Sequence, residues 1–300
     1  MSKKIVVTKD IGLLPDQIER LKSLGDVKIY NGLPKTYDEW LERCKDMDII
    51  CTGKFGLKQK YQDLKNVFIS LPFVGVGFFD KDILKKNNIT VSNSPGCNKD
   101  AVSEWVMCML LNLFRKFPSF LRVRDLNGPK VTQGLNNKKV CILGKGNIGS
   151  RVGKLCEAFD MVVSYFKRGD DLVELVKDAD VTVNCLTTND STVGLLNKTF
   201  FNSFKKSSFF VSVADYIIYD VDALFNALDE NTIAGAAIDA MGIQVGDTSD
   251  PFYKKLLSHP KVLATPHIAW ASDFSKKLGA DMMIDNIEAW LKGKPINLVK

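Results

Sequence analysis

One run, Val140-Cys-Ile-Leu-Gly144-Lys-Gly146-Asn-Ile-Gly149-Ser-Arg, narrows the possible folds more than any other stretch of the chain. Four apolar residues of strand character lead straight into Gly-x-Gly-x-x-Gly, and helix-forming sequence follows. The spacing has a steric cause. Gly144 permits a tight turn, Gly146 lets the backbone approach a pyrophosphate, and Gly149 lets helix and strand pack closely. Free N–H groups and the helix dipole favour phosphate at such an N-terminus. A tight turn without a ligand would account for the glycines alone. Here the following strand also falls where a dinucleotide site needs it, so Gly144, Gly146, Asn147, Ile148 and Gly149 are expected to hold a dinucleotide.

That following strand ends Tyr165-Phe-Lys167-Arg168, with Lys167 18 residues past Gly149. An acid at this point would bind a ribose 2′-hydroxyl and repel a 2′-phosphate. Two cations stand there instead, and cations attract a phosphate. The expected cofactor is therefore NADP(H), with Lys167 and Arg168 at the 2′-phosphate. NAD(H) is the second choice, in which case both side chains simply face solvent.

Short β-branched runs alternate with helical ones on both sides of this motif, the pattern of parallel βαβ units. Strands are expected at Ile5–Thr8, Val27–Tyr30, Asp48–Cys51, Val67–Ser70 and Thr90–Ser92, with helices at Pro15–Ser23 and Tyr37–Lys45 between them. Ala101–Phe117 reads as a long, mostly buried helix crossing into a second domain, and Leu126–Lys138 as a loop. A second series follows, with strands at Val140–Leu143, Met161–Tyr165, Val181–Cys185, Phe209–Val213, Ile233–Ile238 and Val262–Ala264. Its helices begin near Asn147, Asp170, Asn197 and Asp220. A loop at Pro266–Ala271 precedes a last helix, Ser272–Lys292.

At 300 residues the chain is long for a single core. Its 41 basic and 35 acidic residues give a net charge of +6, spread without a run of five cations, so no nucleic-acid partner is expected. No stretch of about 18 apolar residues suggests a membrane span. The N-terminus reads as a first strand rather than a signal peptide. Seven cysteines, odd in number and mostly within apolar runs, read as reduced core thiols of a cytoplasmic protein. With only His259 and His267 present, no histidine-rich metal site is expected.

Beyond the fingerprint, several segments occur in a telling order: Phe73-Val-Gly75-Val-Gly-Phe-Phe-Asp80, Ile89-Thr-Val-Ser-Asn93-Ser-Pro95-Gly96, Val102-Ser-Glu104, Gly235-Ala-Ala-Ile-Asp239, Thr265-Pro-His267-Ile-Ala-Trp270 and Asn286-Ile-Glu-Ala-Trp-Leu-Lys-Gly293-Lys-Pro295-Ile-Asn297. With these the chain resembles, over almost its entire length, the D-isomer-specific 2-hydroxyacid dehydrogenase family, which includes glycerate and phosphoglycerate dehydrogenases and glyoxylate/hydroxypyruvate reductases. The resemblance implies an α/β protein of two domains. A Rossmann dinucleotide-binding domain, residues 101–269, is inserted into a flavodoxin-like substrate domain, residues 1–100 plus 270–300. It further implies an active site in the cleft and a homodimer joined through the cofactor domains. Val102 joins the cofactor contacts, Asp239 lies near the nicotinamide carboxamide, and Val74, Gly75 and Val76 offer backbone groups to a small-molecule substrate.

The family's catalytic set is an Arg, a Glu and a His, and only His267 matches. The stretch that normally carries Arg before Gly reads Val211-Ser-Val-Ala214-Asp215-Tyr216. Three residues after Asp239, where the Glu is expected, stands Gly242, although Asp247 or Asp250 would serve in its place. A guanidinium would bind a 2-oxo carboxylate through charged hydrogen bonds worth about 1.5–3 kcal/mol each, whereas Asp215 repels it.

Two readings follow. In one, the site is retuned for a carbonyl or imine substrate, with His267 as general acid/base. Asp215 then faces a cationic group, Tyr216 and Trp270 form apolar walls, and Tyr216 or Tyr219 supplies a hydroxyl. In the other, chemistry is lost and an NADP-binding homodimer remains as a scaffold or sensor. An ordinary 2-hydroxyacid dehydrogenase with a displaced Arg, Arg122 or Arg124, is a third option.

Overall fold

The computed structural model describes residues 2–120 and 131–299. Arg122 and Arg124, and the first part of the loop expected at Leu126–Lys138, lie outside the described residues. The chain divides into two compact units, Met1–Asn98 with Ala271–Lys300, and Lys99–Trp270. One unit is thus inserted into the other.

In the first unit, β1 (Lys4–Val7), α1 (Pro15–Lys22), β2 (Asp26–Ile29), α2 (Tyr37–Cys44), β3 (Ile49–Cys51), α3 (Leu57–Lys60), β4 (Phe68–Ser70), α4 (Lys81–Lys86) and β5 (Thr90–Ser92) follow one another. The strands form a parallel sheet in the order β2-β1-β3-β4-β5, the flavodoxin-like arrangement. Side chains alternate between the two faces of a strand, and the core is sorted accordingly. Val6, Ile50 and Ile69 meet Trp40, Leu57 and Leu84 on one side. Ile5, Val7, Ile49 and Phe68 meet Leu21, Met283, Ile284 and Ile287 on the other.

The last three belong to the long C-terminal helix, which returns to cover the first sheet. Its hydrogen bonds fix that return: the Ser70 hydroxyl donates to the Met283 carbonyl at 2.8 Å, and the Asn286 amide to the Asn93 carbonyl at 2.8 Å.

The second unit opens with α5 (Lys99–Arg115) and α6 (Phe117–Phe120). Then come β6 (Lys139–Leu143), α7 (Asn147–Ala158), β7 (Val162–Phe166), α8 (Leu172–Val176), β8 (Val181–Asn184), α9 (Lys198–Asn202), β9 (Phe209–Ser212), α10 (Val221–Asp229), β10 (Gly235–Asp239), α11 (Pro251–Ser258) and β11 (Val262–Thr265). The C-terminal helix, Asp273–Leu291, is α12.

All six strands of the second sheet are parallel, in the order β11-β10-β9-β8-β6-β7. Val140 and Ile142 face α5 and α7 with Val106, Leu110 and Val152, while Cys141 and Leu143 face the opposite layer with Phe200, Phe201 and Leu224. The strand order reverses beside β6, because the chain runs from there to β7 on one side and then to β8 on the other. Ligands of open α/β sheets bind at the carboxyl ends of the strands at such a reversal.

Candidate active site

The turn after β6 is shaped by atoms that are missing. Gly144 has φ +98°, and a Cβ there would stand 2.9 Å from the Cys185 carbonyl oxygen at the end of β8. A methyl on Gly149 would land on the Gly144 carbonyl oxygen, far inside contact distance. Gly146 differs, because a Cβ there would meet nothing within 4 Å. Its bareness leaves open space over the N-terminus of α7. The Asn147 and Ile148 N–H groups in the first turn of α7 find no acceptor among the described residues. Bare backbone, free donors and a helix N-terminus fit a dinucleotide pyrophosphate.

A further glycine belongs to this arrangement and was not foreseen. A Cβ on Gly153 would collide with the Tyr165 hydroxyl, so Gly153 lets that ring lie across α7. The Lys145 ammonium stands 4.5 Å from the centroid of the same ring. Lys167 and Arg168 are exposed on the turn that follows β7. The Arg168 guanidinium donates to the Ser191 hydroxyl at 3.1 Å. Asp170 is the acid nearest in sequence, and its carboxylate accepts the Lys167 backbone N–H at 2.7 Å. Three cations therefore attend the end of β7. Lys145 is the one that the sequence reading missed, although its place between the first two glycines was visible.

Val102 requires a correction. Expected among cofactor contacts, its side chain is only 4% exposed and is packed with Val106 and Val152 in the core between α5 and the sheet. Asp239 has a job that the sequence did not suggest. It is 1% exposed, and it accepts hydrogen bonds from the Thr265 hydroxyl at 2.7 Å, the Ile268 N–H at 2.9 Å and the Ala269 N–H at 3.0 Å. The carboxylate thereby anchors the loop on which His267 sits.

His267 itself has a left-handed backbone, φ +57°, a conformation that costs a residue with a Cβ energy and persists where the surroundings enforce it. Its Nδ1 lies 2.9 Å from the Ile243 carbonyl oxygen. A carbonyl can only accept, so Nδ1 carries the proton and the neutral ring presents Nε2 as its free nitrogen. Asp247 and Asp250 do not replace the expected Glu. Asp247 binds the Ser249 N–H at 2.8 Å, and Asp250 caps α11 through the Phe252 N–H at 2.8 Å. The Ile243 carbonyl, not a carboxylate, is what orients the imidazole.

Asp215 follows β9 and caps a single 3-10 turn, accepting the Ile217 N–H at 3.2 Å. It is half-buried, and among the described residues it forms no ion pair. Tyr216 turns its ring onto Phe252, with centroids 4.7 Å apart, and over Gly242, where a Cβ would stand 2.6 Å from the ring. The Tyr219 phenol is buried without a hydrogen-bond partner, and burial together with the Asp215 charge pushes its pKa up. Trp270 packs at the edge of the α5 core. In the first unit, the Asn93 amide donates to the Val74 carbonyl at 2.7 Å and so shapes the loop of Val74, Gly75 and Val76.

The profile of the D-isomer specific 2-hydroxyacid dehydrogenase NAD binding domain matches residues 107–269, more than half of the chain. D-lactate dehydrogenase of Staphylococcus aureus (strain MRSA252) is 27% identical over 263 residues, covering 78% of this chain and 80% of that protein. Among solved structures, an acyclic imino acid reductase (Bsp5) in complex with NADPH and D-Arg superposes with a TM-score of 0.85 at 24% identity, covering 99% of this chain and 100% of that one. A D-lactate dehydrogenase from Treponema pallidum gives a TM-score of 0.80 at 22% identity, covering 99% of each chain. At such identities the structural likenesses speak for the fold. The profile match carries more, and by it this chain belongs to the D-isomer-specific 2-hydroxyacid dehydrogenase family, with an NAD(P)-binding domain built on the turn after β6.

Proposed function

We propose that the protein is an NADPH-dependent reductase whose substrate is a 2-imino acid, or the 2-oxo acid from which one forms, with His267 as the proton donor. The observation that carries this reading is the Asp215 carboxylate, unpaired at the carboxyl end of β9, in the sheet that also carries the dinucleotide turn and His267. An unpaired acid favours a cationic nitrogen and disfavours a 2-oxo carboxylate at the same point. The likeness in fold to an imino acid reductase solved with NADPH and D-Arg supports the same choice.

A reduced nicotinamide, when bound, supplies a hydride to the trigonal carbon. Gly146 and the free N–H groups of Asn147 and Ile148 would hold its pyrophosphate. Lys145, Lys167 and Arg168 would surround its 2′-phosphate. Asp215 would pair with the iminium nitrogen. As the carbon accepts the hydride, the π pair of the C=N bond becomes a lone pair on nitrogen, and a proton from His267 Nε2 converts the amine to an ammonium. On a carbonyl substrate the same proton would go to the alkoxide oxygen. The Ile243 carbonyl keeps Nδ1 protonated throughout, so that Nε2 is the atom that gives and regains the proton.

The test is NADPH oxidation with a panel of 2-oxo acids, with and without ammonia or methylamine. The expected result is turnover that rises with amine concentration and falls by about 10²–10⁴ in His267→Gln, the range for loss of a general acid. Lys167→Asp should raise KM for NADPH at least tenfold and leave that for NADH nearly unchanged. A thermal shift with NADPH but no turnover on any compound would overturn the catalytic reading in favour of a binding protein.

A further inference from the structure

In the first sheet the strand order reverses between β1 and β3, because the chain runs from β1 to β2 on one side and then to β3 on the other. The carboxyl ends of these two strands are therefore that unit's own ligand-binding position. The residues there are unusually polar. The Thr8 and Thr52 hydroxyls, at the two strand ends, are buried and 2.6 Å apart, and the Trp40 indole N–H donates to Thr52 at 2.9 Å. Lys9 and Lys54 come next in sequence. The Lys9 ammonium lies 3.2 Å from where a Cβ of Gly53 would be, so the bare backbone at Gly53 makes room for it. The Lys54 ammonium lies 3.5 Å from the corresponding point on Gly75, and 5.6 Å from the centroid of the Phe73 ring.

Neither ammonium forms an ion pair among the described residues. Solvent reaches Lys54. The atoms crowding it, and the Lys58 charge, hold its pKa below the usual lysine range. The Gly75 and Val76 N–H groups beside it also find no acceptor among the described residues.

We propose that Lys54, backed by Lys9, is the cation that recognises the carboxylate of the substrate, with the Gly75 and Val76 N–H groups completing the cradle. A single carboxylate suits this set: one ammonium as a point charge and two backbone donors, with no guanidinium fork. The charge that Asp215 cannot offer is thus supplied from the flavodoxin-like unit. This rests on the reading of the substrate as a 2-imino or 2-oxo acid, and it makes Lys54 a specificity-determining residue rather than a proton donor.

The probe is oxamate, which carries one carboxylate, against oxamide, which carries none, titrated into the full chain with and without NADPH. Wild type should bind oxamate and ignore oxamide. Lys54→Met should weaken oxamate at least tenfold while NADPH affinity and the unfolding midpoint stay unchanged, and Lys54→Arg should restore most of the loss. Oxamate should also shield Lys54, but not Lys58, from acetic anhydride, read by peptide mass spectrometry. Equal oxamate affinity in wild type and Lys54→Met, or no oxamate binding in wild type, would overturn the proposal. Tighter binding of inorganic phosphate than of oxamate at Lys54 would overturn the assignment to a carboxylate. None of these readouts needs turnover, so a failure of the catalytic reading is seen separately.

Discussion

The turn after β6 and the turn after β9 leave the same edge of the same parallel sheet, yet they are specified in opposite ways. The first is fixed by what its residues lack. Gly144 and Gly149 stand where any Cβ would strike backbone, and backbone cannot step aside. The second is fixed by what its residues bring. Asp215 caps its own turn, Tyr216 covers Gly242, and Phe252 supports the ring. A turn made by omission tolerates almost no change and so keeps its spelling. A turn made by side-chain contacts can be rebuilt piece by piece, and in this chain it carries an acid where the family's pattern has a base.

The sharpest way to break this contrast lies within the first turn. Gly149→Ala places a methyl on the Gly144 carbonyl, so both folding and cofactor binding should suffer. The expected outcome is a loss of stability of about 2 kcal/mol or more, in the range for overpacking, and NADPH affinity reduced at least a hundredfold. Gly146→Ala should separate the two effects. Its methyl meets open space, so the unfolding midpoint should match wild type while NADPH binding falls as steeply. Unfolding by urea and fluorescence titration with NADPH would check both. A Gly146→Ala protein that binds normally would show that the pyrophosphate does not pass over that position.

The second turn can be probed by trying to restore a glutamate. Gly242 has φ +103°, a backbone that residues with a Cβ rarely adopt, and the Tyr216 ring occupies the space that a side chain would need. Gly242→Glu should therefore cost about 1–3 kcal/mol. Tyr216→Ala should return only the part that is due to the ring. The double-mutant cycle measures the split. Full additivity of Gly242→Ala and Tyr216→Ala would mean that the ring and the glycine are not coupled, and the account of this turn as a packed unit would fail.

The same distinction explains what the sequence could convey. Strands with β-branched alternation were legible to within a residue or two, as Phe209–Ser212 against an expected Phe209–Val213 illustrates. The long helix over residues 99–115 was legible because its apolar positions recur without turn residues. Short helices were not. The helices at Lys81–Lys86 and Pro251–Ser258 are held by the caps Asp80 and Asp250 and by packing, with too few turns for periodicity to emerge. In the site, the glycines and His267 were readable one by one. Gly153 was not, because its reason is Tyr165. Asp239 pointed to a cofactor contact because its hydrogen-bond partners, Thr265, Ile268 and Ala269, lie a whole helix and strand further along. Lys54 belongs to no motif and acquires meaning only from the strand order of the first sheet.

The smallest expected effect compares two carboxylates of the second unit. Asp180 sits just before β8, at the end of the sheet away from the dinucleotide turn. Burial pushes its pKa up, but the Lys139 N–H at 2.8 Å and the Lys205 ammonium at 2.9 Å outweigh burial and hold it below the usual carboxylate range. A carboxyl whose pKa is depressed on folding stabilises the fold above its unfolded pKa, about 3.9, and loses that contribution as pH falls through the lower folded value. Asp180→Asn should therefore cost about 1 kcal/mol at pH 7, and the deficit should shrink below about pH 4. Asp215 has a single backbone donor and no cation. Asn caps a turn as well as Asp does, so Asp215→Asn should leave stability within about 0.5 kcal/mol of wild type, the usual span for a surface change. Urea unfolding at pH 7, 5 and 3.5 on both variants decides the matter. A pH-dependent loss in Asp215→Asn as large as that in Asp180→Asn would mean that Asp215 already has a partner in the folded chain, and the argument that it waits for a cationic substrate would lose its basis.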